Sequence, residues 1–186
     1  MLRKLVLPAF LLLGMNANAA DDDFFQSTGL IGIEAGYMGT EYQAYDGTYD
    51  VNGNKIMTQE STSSLSLGLK MGAESEFYRA FVEGRWWSTS DYNDAITIGG
   101  ALQYLIPLNN KMNIFLGVNG GGLNVKSEFD PYAGVDAGMN FDLNDNLGLE
   151  VGTRYSHVFI EDDEPEKIDH FYQLYVSVIF KFHNDY

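Results

Sequence analysis

The chain has 186 residues and a formal charge of −15, from 11 Lys+Arg against 26 Asp+Glu, with 20 Gly, 12 Tyr, 12 Phe and no Cys. The lack of Cys excludes a disulfide scaffold, a Cys-ligated metal and a thiol nucleophile. Three His leave little for zinc chemistry, and the acidic balance argues against nucleic acid, whose phosphates need clustered Lys and Arg.

The N-terminus reads as an address. Arg3 and Lys4 precede an apolar run, Leu5 to Leu13, broken only by Pro8, and Ala17-Asn18-Ala19 supplies the small-x-small pattern of a signal peptidase site. A cleavable secretory signal over residues 1–19 is expected, followed by one domain over 20–186. The run is too short to span a bilayer as a helix, which takes about 20 residues. Removing it leaves nine basic against 26 acidic residues, a charge of −17. No later stretch is apolar for the length of a membrane helix, so a mature chain embedded in lipid must cross by strands.

From Gly29 onward the chain alternates with period two, the signature of strands with two unlike faces. Gly29–Tyr42 sets Ile31, Ile33, Ala35 and Tyr37 against Gly32, Glu34 and Gly36. Ser64–Glu74 sets Leu65, Leu67, Leu69 and Met71 against Ser66, Gly68, Lys70 and Gly72. Tyr78–Trp87 alternates Tyr78, Ala80, Val82 and Trp86 with Arg79, Phe81, Glu83 and Arg85, and Ala95–Ile106 alternates Ile96, Ile98, Leu102 and Tyr104 with Thr97, Gly99, Ala101 and Gln103. Met112–Gly121, Tyr132–Phe141, Leu147–Phe159 and His170–Phe182 continue the pattern, the polar parity carrying Asn119, Asp136, Glu150, Arg154, Ser177 and Lys181. A tilted membrane strand needs about 9–11 residues, and an even number closes an up-and-down barrel. The connections alternate: tight at Ser75–Phe77, Pro107–Lys111 and Asp142–Asn146, long and polar at Gln43–Glu60, Ser88–Asp94, Leu123–Pro131 and Ile160–Asp169. The expected fold is all-β: an eight-stranded antiparallel up-and-down transmembrane barrel.

Alternation alone does not say which parity meets lipid, since a soluble barrel alternates with its apolar face inward. The polar parity interleaves glycine with charges of both signs, Glu34, Lys70, Arg79, Glu83, Arg85, Asp136, Glu150, Arg154 and Lys181, which suits a crowded polar lumen. Aromatics of the apolar parity fall near strand ends, Tyr78, Tyr104, Phe141, Phe180 and Phe182 at one rim and Tyr37, Trp86, Tyr155 and Tyr172 at the other, as two interfacial girdles. The apolar parity is therefore read as lipid-facing.

The segments Gly32-Ile33-Glu34-Ala35-Gly36-Tyr37 and Leu149-Glu150-Val151-Gly152-Thr153-Arg154-Tyr155-Ser156 resemble the OmpA/OmpX-like and opacity-type small outer-membrane barrels. The end of the chain, with Tyr175, Ser177, Phe180 and Phe182, is similar to the terminal signal read by the barrel-assembly machinery. It departs from it in having Ser177 where glycine is usual and four residues after Phe182. The resemblance implies a Gram-negative outer-membrane protein with a structural or surface-interaction role, contacting membrane lipid, lipopolysaccharide and the assembly machinery.

An eight-stranded barrel is just wide enough for side chains to fill. The lumen charges are therefore expected to pair as a structural network, with a narrow pore as another reading. Lipid A deacylases offer an enzymatic alternative. Arg154-Tyr155-Ser156-His157 is similar to their late-strand motif, but Phe159 stands where the nucleophile belongs, and adjacent Ser156 and His157 point to opposite faces of a strand. No catalytic residue, cofactor or metal centre is expected. The acidic excess lies in the long connections, most densely at Glu161, Asp162, Asp163, Glu164 and Glu166, where weak divalent-cation bridging to lipopolysaccharide is one reading. The Tyr-rich stretch Tyr42–Tyr49 is a candidate adhesive surface.

Overall fold

A computed structural model describes residues 28–49, 55–88, 94–125, 128–160 and 168–182. The expected signal segment, the acidic run 161–166 and the tail after Phe182 lie outside them. Eight strands follow in order: β1 (Thr28–Tyr49), β2 (Lys55–Glu74), β3 (Tyr78–Ser88), β4 (Asp94–Asn109), β5 (Met112–Val125), β6 (Glu128–Asn144), β7 (Leu147–Val158) and β8 (Ile168–Phe182). Each pairs antiparallel with its sequence neighbours, and β8 returns to β1 to close the barrel. Closure leaves no free edge in the wall, which strands crossing lipid require because each unpaired N–H or C=O there costs several kcal/mol.

The stagger follows from the register. From Glu34, directly opposed residues run one way through Gly68 and Arg85 to Thr97. The other way they run through Ser177, Glu150, Asn140 and Asn113 to Pro107, ten positions further along β4. Such a stagger across eight strands tilts them by roughly 40° and sets a bore that side chains fill.

The parities divide as the alternation predicts. Ile33, Leu65, Leu67, Leu69, Val82, Ile98, Leu102, Leu116, Val118, Val135 and Leu174 are exposed on the outside, Leu69 by 63%. Glu34, Lys70, Arg79, Glu83, Arg85, Asp136, Glu150 and Arg154 are buried within. A belt of exposed Leu, Ile and Val around the whole barrel is a lipid-facing surface; in water it would be an aggregation site. Tyr78 and Tyr104 oppose each other on the outside near the tight turns, ring centroids 5.2 Å apart. Tyr37, Trp86, Tyr155 and Tyr172 are exposed toward the other rim.

The strands run further than the alternation indicates at the long-connection end. Most of Gln43–Glu60 is strand, not loop: β1 continues to Tyr49 and β2 begins at Lys55. Likewise β5 reaches Val125 and β6 starts at Glu128, taking up most of Leu123–Pro131. Hydropathy misses these extensions because they rise out of the membrane and lose the lipid face that produces alternation. Above Tyr42, β1 has only β2 as a neighbour, and β2 meets β3 only from Ser66 downward, so the two strands leave the wall as a ribbon. At its base Gly39 lies beneath the Tyr172 ring, where a Cβ would overlap ring atoms. The tight turns are shorter than their sequence spans, β4 and β5 being linked by Asn110-Lys111 and β6 and β7 by Asp145-Asn146.

Candidate functional site: the lumen network and the outer rim

The middle of the lumen is one connected group of ions and amides. Lys70 Nζ lies 2.6 Å from Glu150 Oε1 and 3.7 Å from Glu34 Oε2. Glu150 also accepts from Arg79, whose Nε donates to Gln103 Oε1; Gln103 in turn donates to Asp136. Arg154 spans the bore from β7, with Nη1 3.3 Å from Glu34 Oε1 and 2.7 Å from Gln173 Oε1, and Nη2 3.2 Å from Glu83 Oε2. Arg85 pairs with Glu83, and its Nε lies 3.4 Å from Glu34 Oε1. Gln173 completes the group, donating to Glu34 Oε1 and Ser66 Oγ, each at 2.9 Å.

Eight of the nine charged residues expected in the lumen network are thus brought together. Four carboxylates face four cations, which balances the charge of the buried ions, while Arg79 Nη1, Arg85 Nη2, Arg154 Nε and Asp136 Oδ1 have no hydrogen-bond partner among the described residues. The ninth, Lys181, is buried at the edge of the group and joins it through Glu74, whose Oε2 lies 3.9 Å from Arg79 Nη1. Near the tight-turn end its Nζ lies 2.9 Å from both Glu74 Oε1 and Asp142 Oδ1. Of this lower group, only Lys181 was singled out in the sequence, because Glu74 and Asp142 fall beside turns and read as solvated.

The cations also lie over aromatic rings. Arg154 Cζ is 4.8 Å from the Tyr175 centroid, Arg79 Cζ 4.7 Å from that of Phe115, and Lys70 Nζ 5.1 Å from that of Phe81. Each such contact draws the cation electrostatically to the ring face. Glycine on β5 makes the room: a Cβ at Gly117 would lie 2.6 Å from Asp136 Oδ1 and 2.7 Å from Gln103 Cγ.

The apolar residues inside the lumen are what sequence reading missed. Met38, Tyr42, Trp87, Leu123, Tyr132, Val158, Ile168 and Phe171 form one buried cluster toward the outer rim. Its centre is Phe171, with Trp87 at 5.7 Å and Tyr132 edge-on at 5.3 Å between ring centroids. Two smaller clusters, Leu30–Phe81–Ala101–Ile179 and Leu105–Phe115–Tyr175, lie on other parts of the lumen wall. All but Ile168, which lies beyond a register shift in β8, keep the polar parity of their strands, so parity was the available signal, and it had already placed Phe81 and Ala101 there. Hydropathy masked it, since Trp87 beside Trp86 looks like one aromatic pair and not one ring on each face.

Of the terminal-signal residues, Tyr175 and Ser177 are buried in the lumen while Phe180 and Phe182 are exposed outside. The Ser156 hydroxyl lies inside, 2.8 Å from Asn119 Oδ1, whereas His157 is exposed outside and meets the Phe159 ring edge-on at 5.3 Å. No hydroxyl–imidazole pair forms between them.

At the outer rim Glu41 accepts from Gln59 Nε2 at 2.6 Å and lies 2.8 Å from His170 Nε2, and Glu60 accepts from the Tyr42 hydroxyl at 3.0 Å. The acidic run Glu161, Asp162, Asp163, Glu164 and Glu166 falls outside the described residues, as do the side chains of 43–46 in the Tyr-rich stretch.

Solved structures share this architecture. Neisserial surface protein A is similar at a TM-score of 0.60 and 15% identity, over 83% of this chain and 97% of that one. Outer membrane protein H (OprH) of Pseudomonas aeruginosa is similar at a TM-score of 0.53 and 18% identity, over 83% of this chain and 99% of that one. No curated protein sequence matches. With its closed wall and apolar belt, the molecule has the fold of these small outer-membrane β-barrels. Residues 2–182 match the family model described as YfaZ precursor, and the chain belongs to that family.

Proposed function

We propose that this protein is a non-conducting barrel with a structural and surface-interaction role, and that its partners meet the outer rim and the β1–β2 ribbon. One observation carries the reading: the bore is filled in layers, with the Trp87–Tyr132–Phe171 cluster toward the rim and the network around Arg154 and Glu150 below it. An ion crossing would have to shed its water against apolar rings and then part charges already paired, each costing several kcal/mol. Purified protein in a planar bilayer is expected to show no stable openings; steady unitary currents would overturn the closed lumen.

The ribbon supports the surface role. It rises clear of the membrane, and the exposed Tyr49 gives it aromatic contact area at low entropic cost. The proposed neighbours in the membrane are lipopolysaccharide, with weak divalent bridging at acidic loops, and the assembly machinery at the strand carrying Phe180 and Phe182. The protein is proposed to be without enzymatic activity, because Ser156 and His157 lie on opposite sides of the wall. Lipid A from cells lacking the protein should carry an unchanged acyl pattern, and a lost or gained chain would count against this.

A further inference from the structure

Two of the three His of the chain come together on the outer surface. His157 of β7 and His170 of β8 are directly opposed, and Glu41 of β1 is directly opposed to His170 on the other side. Directly opposed side chains on one face start from Cβ atoms about 5 Å apart. His170 Nε2 already lies 2.8 Å from Glu41 Oε2, and the two imidazole rings stand 6.5 Å apart between centroids, 31° from parallel. The row lies two residues beyond Tyr155 and Tyr172 of the girdle, with Tyr155 packed 5.8 Å from His170. It is therefore at headgroup level, accessible from outside yet half-buried at His170 and Glu41.

We propose that His157, His170 and Glu41 form a binding site for a zinc-class divalent ion. Two imidazoles on one tetrahedral zinc, at about 2.0–2.1 Å each, have nitrogens about 3.3 Å apart and ring centroids roughly 5–6 Å apart. As they stand, the donors of the three side chains do not yet converge on one metal position, and binding requires the ring centroids to close from 6.5 Å by roughly 1 Å. Glu41 supplies a third ligand, oriented by its hydrogen bond from Gln59 as outer partners orient metal ligands elsewhere. Two neutral nitrogens and one carboxylate suit zinc, whereas calcium and magnesium prefer all-oxygen sets; this separates the site from diffuse binding at acidic loops. A fourth position faces outward and is left to water.

The location gives the site a consequence. The β1–β8 register shifts between Glu41 and Tyr42, where the ribbon leaves the wall. A bound ion would tie β7, β8 and β1 together at that point, and it would stabilise the folded barrel by mass action because only the folded chain holds the three ligands in place.

The test uses the whole mature barrel, refolded in detergent micelles and titrated with zinc chloride by calorimetry, with and without a large excess of magnesium. One zinc per barrel is expected, retained in magnesium, with broadened or shifted imidazole nitrogen resonances for His157 and His170 but not His183. His157→Asn and His170→Asn should each weaken binding at least about tenfold, Glu41→Gln should weaken it less, and His183→Asn should leave it unchanged. Heat-modifiability on a gel establishes that each variant is folded; should a His170 variant misfold, exposed His157 carries the test. Absence of zinc uptake by the folded wild type, equal affinity in His157→Asn, or release by magnesium would each overturn the proposal.

Discussion

Arg154 is the residue on which the lumen most depends. Its guanidinium reaches Glu34, Glu83 and Gln173 from a single position and lies over Tyr175. Removing it leaves Glu34 and Glu83 sharing Arg85 as their nearest cation and upsets the charge balance, and breaking a buried pair costs up to about 3–5 kcal/mol. Arg154→Met should therefore lower the free energy of unfolding by up to that amount, read as a lower urea midpoint of the folded-to-unfolded gel transition. Arg154→Lys should recover only part of it, because an ammonium cannot present the planar fork that spans three acceptors. Thr153→Ala, one residue away but on the exposed face, serves as the neutral control.

At the scale of elements, the β1–β2 ribbon is the part least tied to the rest. Residues Gln43–Tyr49 pair only with β2, and β2 has no β3 partner above Ser66. Shortening it by replacing residues 44–57 with a tight turn is expected to leave a heat-modifiable, outer-membrane-inserted barrel of wild-type stability to within about 1 kcal/mol, since surface changes away from packed features rarely exceed that. A barrel that no longer assembles would show that the ribbon contributes to folding and not only to the surface. The same independence explains why its strands escaped hydropathy: no lipid or lumen imposes unlike faces on them, and the Ser/Thr-rich stretch Thr58–Ser64 is polar on both sides.

For the whole molecule, the layers of the lumen act in series. Opening one leaves the other in place. Trp87→Ala with Phe171→Ala should destabilise the barrel, by about 3–5 kcal/mol for each buried ring lost, yet planar-bilayer recordings should stay silent because the network of Lys70, Arg79, Arg154, Glu34 and Glu150 still fills the bore. Steady openings in that variant would mean that the aromatic cluster alone closes the lumen. The charge of the molecule divides along the same lines. The mid-lumen group is balanced at four against four, and the acidic excess lies at the strand ends and connections.

The sequence by itself determined the eight crossing strands, the parity that meets lipid and the identity of the paired lumen charges. It could do so because a strand in a bilayer wall has two chemically opposite surroundings at every step, and period two records them directly. Boundaries were legible only where those surroundings ended abruptly, as at Ser75–Phe77, and not where strands continued into water. Only the tertiary structure decided which charges meet. Glu34 and Arg154 are 120 residues apart, and their contact depends on the stagger that closure imposes. The same closure set Lys181 at the edge of the network, beside Glu74 and Asp142. It also set His157, His170 and Glu41 side by side on three strands. Spacing along the chain carries no trace of that juxtaposition, because it brings β1, at the start of the barrel, against β8, at its end.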